Sequence, residues 1–274
     1  MHFDKLKDKC EYFRGLTDYR LTPNSYVIAM LDGRTFSKLI KNKYEKPFDM
    51  TFMQMMDETA AYILKNVQGA KFAYVQSDEI SILITDFDTP ETDSPFSYRI
   101  CKLQSILAGM ASGMFNKLTL LNEFRKYNLK HGTLSIEQDK FPYGDMYSIV
   151  EKQKLVEFDC KVWNVPGYNE AYCHFLWRQN DCTRNSKQQA AQTYLPHKEL
   201  NGLNADAQIA KLLEEKGIDW NDYSNAEKYG RIIYQESVPF STDHGVVERN
   251  VWLPHAAAPF SEEDNVIRTL IPTK

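Results

Sequence analysis

The order in which hydrophobic periodicity changes along this chain constrains its fold more than any other feature. Residues 26–31 (YVIAML) form a short apolar run rich in strand formers, which reads as a buried strand. The run stops abruptly at Asp32-Gly33-Arg34. Asp49 then offers a helix N-cap, Phe52, Met56, Ile63 and Val67 mark one helical face, and Gly69 ends the pattern. Residues 71–75 and 80–85 read as two strands joined through Gln76-Ser77-Asp78-Glu79, hairpin-like without the usual Asn-Gly pair. Ser94-Pro95 opens a long helix expected to reach about residue 121. Over 154–165 the period is two: Val156, Phe158, Cys160 and Val162 face one way, Glu157, Asp159, Lys161 and Trp163 the other. A helix over about 169–181 follows. Strand, helix, strand, strand, helix, strand is the α+β, ferredoxin-like βαββαβ order.

Outside that frame, Phe3, Leu6, Cys10 and Phe13 predict an N-terminal amphipathic helix, and Gly15 and Pro23 bracket a loop. Asn204 caps a further short helix closed by Gly217, and 230–235 read as a strand. From about residue 237 the chain carries Pro239, Pro254, Pro259 and Pro272 with little periodicity. The expected organisation is a catalytic domain over 1–235 and a C-terminal extension over 236–274, packed on that domain or at a subunit interface.

No apolar run approaches membrane-spanning length, and the first residues predict no secretory leader. The five cysteines are scattered without a Cys-x-x-Cys pair, which predicts reduced thiols in a cytoplasmic protein, with an organelle left open, and no structural zinc. The net charge of −4 excludes a protein coated in basic surface but not local phosphate-binding patches. Two such local excesses are Lys38, Lys41, Lys43 and Lys46, and Arg125, Lys126, Lys130 and His131.

The chemistry centres on two acids. Asp32 ends the first strand and Asp78 sits in the turn between the second and third. In a ferredoxin-like sheet the first and third strands are central neighbours and the second lies at or near an edge, so these carboxylates can lie side by side. Hard oxygen ligands of that kind suit Mg²⁺, which keeps waters and substrate phosphates in its shell. Gly33 lets backbone and phosphate approach closely. Spacing alone leaves a structural reading open, because Asp-Gly and Asp-Glu are common at turns.

Seven ordered segments resemble the tRNA-His guanylyltransferase family. They are Leu31-Asp32-Gly33-Arg34-Thr35-Phe36, Lys46-Pro47-Phe48-Asp49, Tyr74-Val75-Gln76-Ser77-Asp78-Glu79, Phe158-Asp159-Cys160-Lys161-Val162, Trp177-Arg178-Gln179-Asn180-Asp181-Cys182, His197-Lys198-Glu199-Leu200-Asn201-Gly202, and residues 216–223 (KGIDWNDY). The resemblance spans roughly 5–235. It implies a polymerase-like palm that adds nucleotides in the 3′–5′ direction. A nucleoside triphosphate, ATP or GTP, activates the 5′ end of a tRNA acceptor stem, and the 3′-hydroxyl of an incoming nucleotide then attacks it. It implies two Mg²⁺ ions, a homotetramer and no membrane partner. By the same resemblance Asp32, Gly33 and Asp78 hold metal, and Glu79 and Lys46 join Asp32 and Asp78 in catalysis. Asp32, Gly33, Arg34, Thr35, Phe36, Ser37, Lys46, Ser77, Asp78, Arg99 and Lys102 contact nucleotide, with Arg99 and Lys102 three apart on one helical face. RNA contacts fall to Arg184, Asn185, Lys187, His197 and Lys198.

One segment departs from the family pattern. Where the tRNA-His-specific branch reads His-Ile-Asn-Asn-Leu-Tyr-Asn, this chain reads Thr183-Arg184-Asn185-Ser186-Lys187-Gln188-Gln189, and only Asn185 survives in register. The departure resembles the Thg1-like branch, which repairs truncated tRNA 5′ ends against a template. A dedicated G−1 addition enzyme, an inactive tRNA-binding protein and a nucleotide cyclase are the competing readings. Trp177 and Trp220 are expected in the core, His174 and His197 as structural or RNA-proximal, and Asp159 as a structural acid or a further catalytic one.

Overall fold

The computed structural model describes residues 5–36, 43–131, 143–242, 245–263 and 265–274, with backbone alone for 131 and 143–147. Phe3, Ser37, Lys38 and Lys41 lie outside the described residues. The elements that build the central layer are β1 (Tyr26–Gly33), α2 (Met50–Asn66), β2 (Ala70–Gln76), β3 (Glu79–Thr85), α3 (Ile100–His131), β4 (Phe158–Val165) and α5 (Tyr168–Tyr194). They are preceded by α1 (Leu6–Gly15), and α4 (Tyr143–Lys152) lies between α3 and β4. After α5 come α6 (His197–Leu200), α7 (Ala205–Lys216), α8 (Asn225–Tyr229), β5 (Arg231–Thr242), β6 (Gly245–Ala256) and α9 (Ile267–Leu270).

Among the described residues the strands form one sheet in the order β4-β1-β3-β2-β5-β6, with every pairing antiparallel. Its first four strands carry the ferredoxin-like order that the periodicities predict. The expectation that β2 lies near an edge is corrected: β5 pairs with it through Ala73↔Ile233 and Val75↔Arg231, which makes β2 interior. β1 and β3 are apolar almost throughout because both of their faces are covered. Val27, Ala29, Leu31, Ile80, Ile82 and Ile84 pack under α2 and α3. Tyr26, Ile28, Phe72, Tyr74 and Leu83 pack under α5 and the C-terminal segment, where Phe260, Ile267 and Ile271 are buried.

The cap signals hold. The Asp49 carboxylate accepts the N–H of Phe52 at 2.8 Å, a bond worth roughly 1 kcal/mol. Asn204 accepts from Ala207 at 2.9 Å, and Gly217 takes the left-handed conformation at φ 67°. Other boundaries differ. α3 starts at Ile100, because Phe96 and Ser97 have positive φ and confine the turn after Pro95 to a short 3₁₀ segment. It runs to His131, ten residues past the expected end. α5 continues to Tyr194, where Ala190, Ala191 and Leu195 pack on Leu212 and Trp220. The C-terminal segment expected to be irregular contains the second strand of a long β5–β6 hairpin. No described helix is long and apolar enough to cross a membrane.

Candidate active site

The strand register assembles the acids. Asp32 pairs with Glu79 on β3 and with Asp159 on β4, so three carboxylates stand in one row on the α5 face of the sheet. The two-residue turn Ser77-Asp78 adds a fourth. The N–H of Gly33 donates to the carbonyl of Asp78 at 3.1 Å, which locks the end of β1 to that turn. A Cβ at Gly33 would come within 2.3 Å of the Phe36 ring, so the close approach depends on glycine. Ser77 has a left-handed φ of 44°, and its hydroxyl donates to Asp78 Oδ1 at 3.0 Å.

The cluster is short of positive charge. Burial and then the neighbouring Asp32 push Asp78 up to about 6. Asp32 is raised as well, by burial and by Asp159, with Lys161 pulling the other way. Glu79 is raised by burial against the pull of Arg178. Arg178 is committed to structure: its guanidinium donates to both oxygens of Glu79, at 2.7 and 2.8 Å, and to Asp181 at 2.9 Å. Glu79 therefore serves as the anchor of the turn that carries Asp78. His174 lies behind this clamp against Ser81 at 3.2 Å, held neutral by burial with its pKa lowered to about 4.

Beside the carboxylates opens a cavity of about 310 Å³. Asp32, Ser77, Asp78 and Glu79 line one end, Pro47, Phe48 and Asp49 a second wall, and Asp181, Asn185, Ser186 and Gln189 of α5 a third. The segment that departs from the family pattern thus faces the reacting end of the molecule. Gln189 donates to the carbonyl of Pro47, tying α5 to the loop before α2. Gly230, at φ 81°, closes the floor where a Cβ would meet the Tyr74 hydroxyl at 2.7 Å.

The other expected residues fall as follows. Arg34 is exposed and pairs with Glu157 at 3.0 Å, and Thr35 is exposed with φ 60°. Phe36 is in the core, its ring edge-on to Phe52, Phe115 and Phe158, so its backbone alone can meet a nucleotide. Lys46 is exposed beside the cavity wall. Arg99 and Lys102 are not brought to the carboxylates. They begin α3 at the opposite end of β1, roughly 20 Å along the strand, where Arg99 pairs with Asp18 at 2.5 Å and Lys102 covers Phe96.

Of the expected RNA contacts, Lys187 pairs with Asp206 at 2.6 Å and sits over the Trp220 ring. Arg184 pairs with Asp181 but stays exposed, Asn185 donates to Asp181 at 3.3 Å, and His197 and Lys198 are exposed on α6. Trp220 is core as expected, whereas Trp177 is 54% exposed. Sequence reasoning gave no role to Arg178, Asp181 or Gln189; the Trp-Arg-Gln-Asn-Asp-Cys segment was the available signal.

Among the described residues no group of three or more His, Cys, Asp and Glu side chains stands ready to hold a metal ion. Asp32 and Asp78, with the Gly33 carbonyl, would offer an oxygen-only donor set that water and phosphate oxygens could complete. That chemistry fits Mg²⁺.

Comparison with known proteins places this geometry in context. The family described as tRNAHis guanylyltransferase matches residues 7–166. The uncharacterized protein R259 of Acanthamoeba polyphaga mimivirus is 28% identical over 246 residues, covering 86% of this chain and 78% of that protein. The tRNA(His) guanylyltransferase 1 of Arabidopsis thaliana is 26% identical over 187 residues, 67% of this chain but 28% of that protein. A bacterial tRNA(His) guanylyltransferase (Thg1)-like protein in complex with ATP superposes with a TM-score of 0.78 at 30% identity, covering 98% of this chain and 100% of the other. Such a protein in complex with GTP gives 0.74 at 26% identity, covering 98% and 99%.

Proposed function

This chain belongs to the tRNAHis guanylyltransferase family of nucleotidyltransferases, and we propose that it adds nucleotides in the 3′–5′ direction to the 5′ ends of truncated tRNAs, choosing each by pairing with a template. The observation that carries the reading is the junction of β1 with the β2–β3 turn. There Asp32 and Asp78 meet through the Gly33–Asp78 bond at the mouth of a nucleotide-sized cavity. The ATP and GTP complexes of the similar bacterial proteins support it.

The reaction has two displacements. The 5′-phosphate of the RNA attacks the α-phosphorus of a nucleoside triphosphate, and pyrophosphate leaves. The 3′-hydroxyl of an incoming nucleoside triphosphate then attacks the RNA 5′ phosphorus, and the activating nucleoside monophosphate leaves. Two Mg²⁺ ions, when bound, would stabilise charge on the phosphate oxygens and acidify the attacking hydroxyl. Asp32, Asp78 and the Gly33 carbonyl would hold them. Arg178 fixes Glu79 and with it the turn bearing Asp78, and Ser77 orients the Asp78 carboxylate. Lys46, exposed next to the cavity-lining Pro47, would meet the triphosphate during activation.

The Thr183–Gln189 departure favours templated repair over dedicated G−1 addition. Asn185, Ser186 and Gln189 of that segment line the cavity. Family likeness supports a homotetramer and a cytoplasmic location. The test is addition of labelled nucleotides to 5′-truncated tRNAs, including tRNA-His, with the base opposite the gap varied. Incorporation should follow the template base, and Asp78→Ala should lower it at least about 1,000-fold. Wild-type activity in that variant would sink the metal assignment. G addition to tRNA-His regardless of template would replace repair by the dedicated activity.

A further inference from the structure

The carboxylate row has two sides, and the cavity accounts for one. On the other, α5 covers Tyr26 and Ile28 but leaves Met30 half-buried and Asp159 and Lys161 exposed. Met30 and Lys161 are opposite each other on this α5 face of the sheet, one row in from Asp32 and Asp159, and Trp163 is two residues further along β4. β4 pairs with β1 alone among the described residues, so this face runs out to the sheet edge. α5 crosses above it. His174 meets Trp163 edge-on at 5.4 Å and Trp177 at 5.8 Å, which sets Trp177 one helical turn nearer the carboxylate row.

Trp177 is 54% exposed yet fixed. The Arg178 guanidinium lies 4.3 Å from its ring centre and is itself anchored on Glu79, the partner of Asp32 across the strands. A large aromatic surface is thus left in water while its orientation is set by a buried ion pair next to the reacting acids. Lys161 is exposed on the strand below, one row in from the Asp32–Asp159 pair. An exposed aromatic ring on the helix above a sheet face that carries an exposed cation is the chemistry that binds a single-stranded nucleotide: the ring stacks the base and the cation meets the phosphate.

We propose that Trp177 is the stacking platform for the 5′-terminal base of the RNA acceptor strand, with Lys161 on the adjoining phosphate. The inference rests on the nucleotidyl-transfer reading and assigns the second substrate its side of the carboxylates. The shapes of the two sides decide which substrate goes where. A walled cavity suits a discrete nucleoside triphosphate, whereas a polymer needs an open path for the rest of its chain. The β4 edge supplies one.

The experiment measures binding of the full chain, in Mg²⁺, to a 5′-truncated tRNA transcript and to the same transcript with an abasic 5′-terminal residue. Trp177→Ala should weaken binding of the intact transcript about 10-fold, and Trp177→Phe should stay within about threefold of wild type. The abasic transcript should bind wild type and Trp177→Ala alike, because the partner of the ring is gone in both. Lys161→Ala should lower the magnitude of the logarithmic salt slope by about 0.7. Unchanged binding of the intact transcript by Trp177→Ala overturns the platform. So does an equal loss on the intact and abasic transcripts, which would make Trp177 a prop for Arg178. Affinity is read without chemistry. A protein that binds RNA through Trp177 but adds no nucleotide would therefore sink the function above and leave the platform standing.

Discussion

Asp78 brings a negative charge into surroundings that do not neutralise it, and that imbalance has a direction in pH. Its folded pKa of about 6 lies above the 3.8 of a free aspartate, so the folded protein binds the proton more tightly than the unfolded chain does. Metal-free protein therefore loses stability as pH rises from about 4 through 6, by at most about 3 kcal/mol. Asp78→Asn removes this loss. Its melting temperature without metal should exceed that of wild type at pH 7.5 and match it near pH 4, while nucleotide addition is abolished. Thermal denaturation in a chelator across that pH range checks it. An Asn variant less stable than wild type at pH 7.5 would show that the carboxylate stabilises the turn. The places of Asp32 and Asp78, at a strand end and in a turn, were legible because such boundaries announce themselves locally, whereas their proposed metal role came only from the family resemblance. Arg178 was not, because its role depends on where α5 crosses β3. Trp177 was misread for the same reason: helical spacing does not show that a helix overhangs the sheet so that one of its aromatics stays in water.

Among the elements, α2 and β5 enclose the cavity and are tied by a buried ion pair. Arg231 Nε donates to Asp57 at 2.6 Å, with side-chain exposures of 7% and 9%. Burial raises the pKa of Asp57 even against that arginine, so the pair is a device for orientation more than for net stability. Asp57→Asn should destabilise the fold by about 3–5 kcal/mol, because it leaves a buried guanidinium uncompensated. Replacing both residues, as Asp57→Leu with Arg231→Met, should recover most of that loss. Urea unfolding with an unchanged slope tests both, and a mild single variant alongside a severe double one would refute the account. The ferredoxin-like core was readable because its strands are continuously apolar or strictly alternating. The second half of α5 was not, since buried Arg178, Gln179 and Ser186 interrupt its apolar stripe before Ala190 and Ala191 begin another. The β5–β6 hairpin was hidden by its prolines. Pro254 is accommodated on an edge strand, and Pro239 lies on the part of β5 beyond its pairing with β2.

At the scale of the molecule, charge is distributed against its own substrates. The chain is net negative at −4, and the cavity is lined by Asp32, Glu45, Asp49, Asp78, Glu79, Asp181 and Glu227 against Arg178 and Arg231, both already paired. A triphosphate entering that field meets repulsion. One unit pair 4 Å apart is worth about 4 kcal/mol at an effective dielectric of 20, and solvent reaching the open side reduces this. Lys46, next to the cavity wall, is exposed and too screened to reverse the sign. Divalent ions seated on Asp32 and Asp78 would reverse it locally. ATP affinity, measured by calorimetry, should therefore fall at least about 100-fold when EDTA replaces Mg²⁺, a change within the Coulomb range above. Raising monovalent salt in EDTA should recover only a small part, because screening weakens repulsion without supplying a bridge between carboxylate and phosphate. In Asp78→Asn the Mg²⁺ dependence should shrink, since the variant carries less repulsion and holds the ion less well. Equal ATP affinity with and without divalent ions would mean that the triphosphate is held elsewhere on the chain. The carboxylate row would then no longer be the place where the two substrates meet.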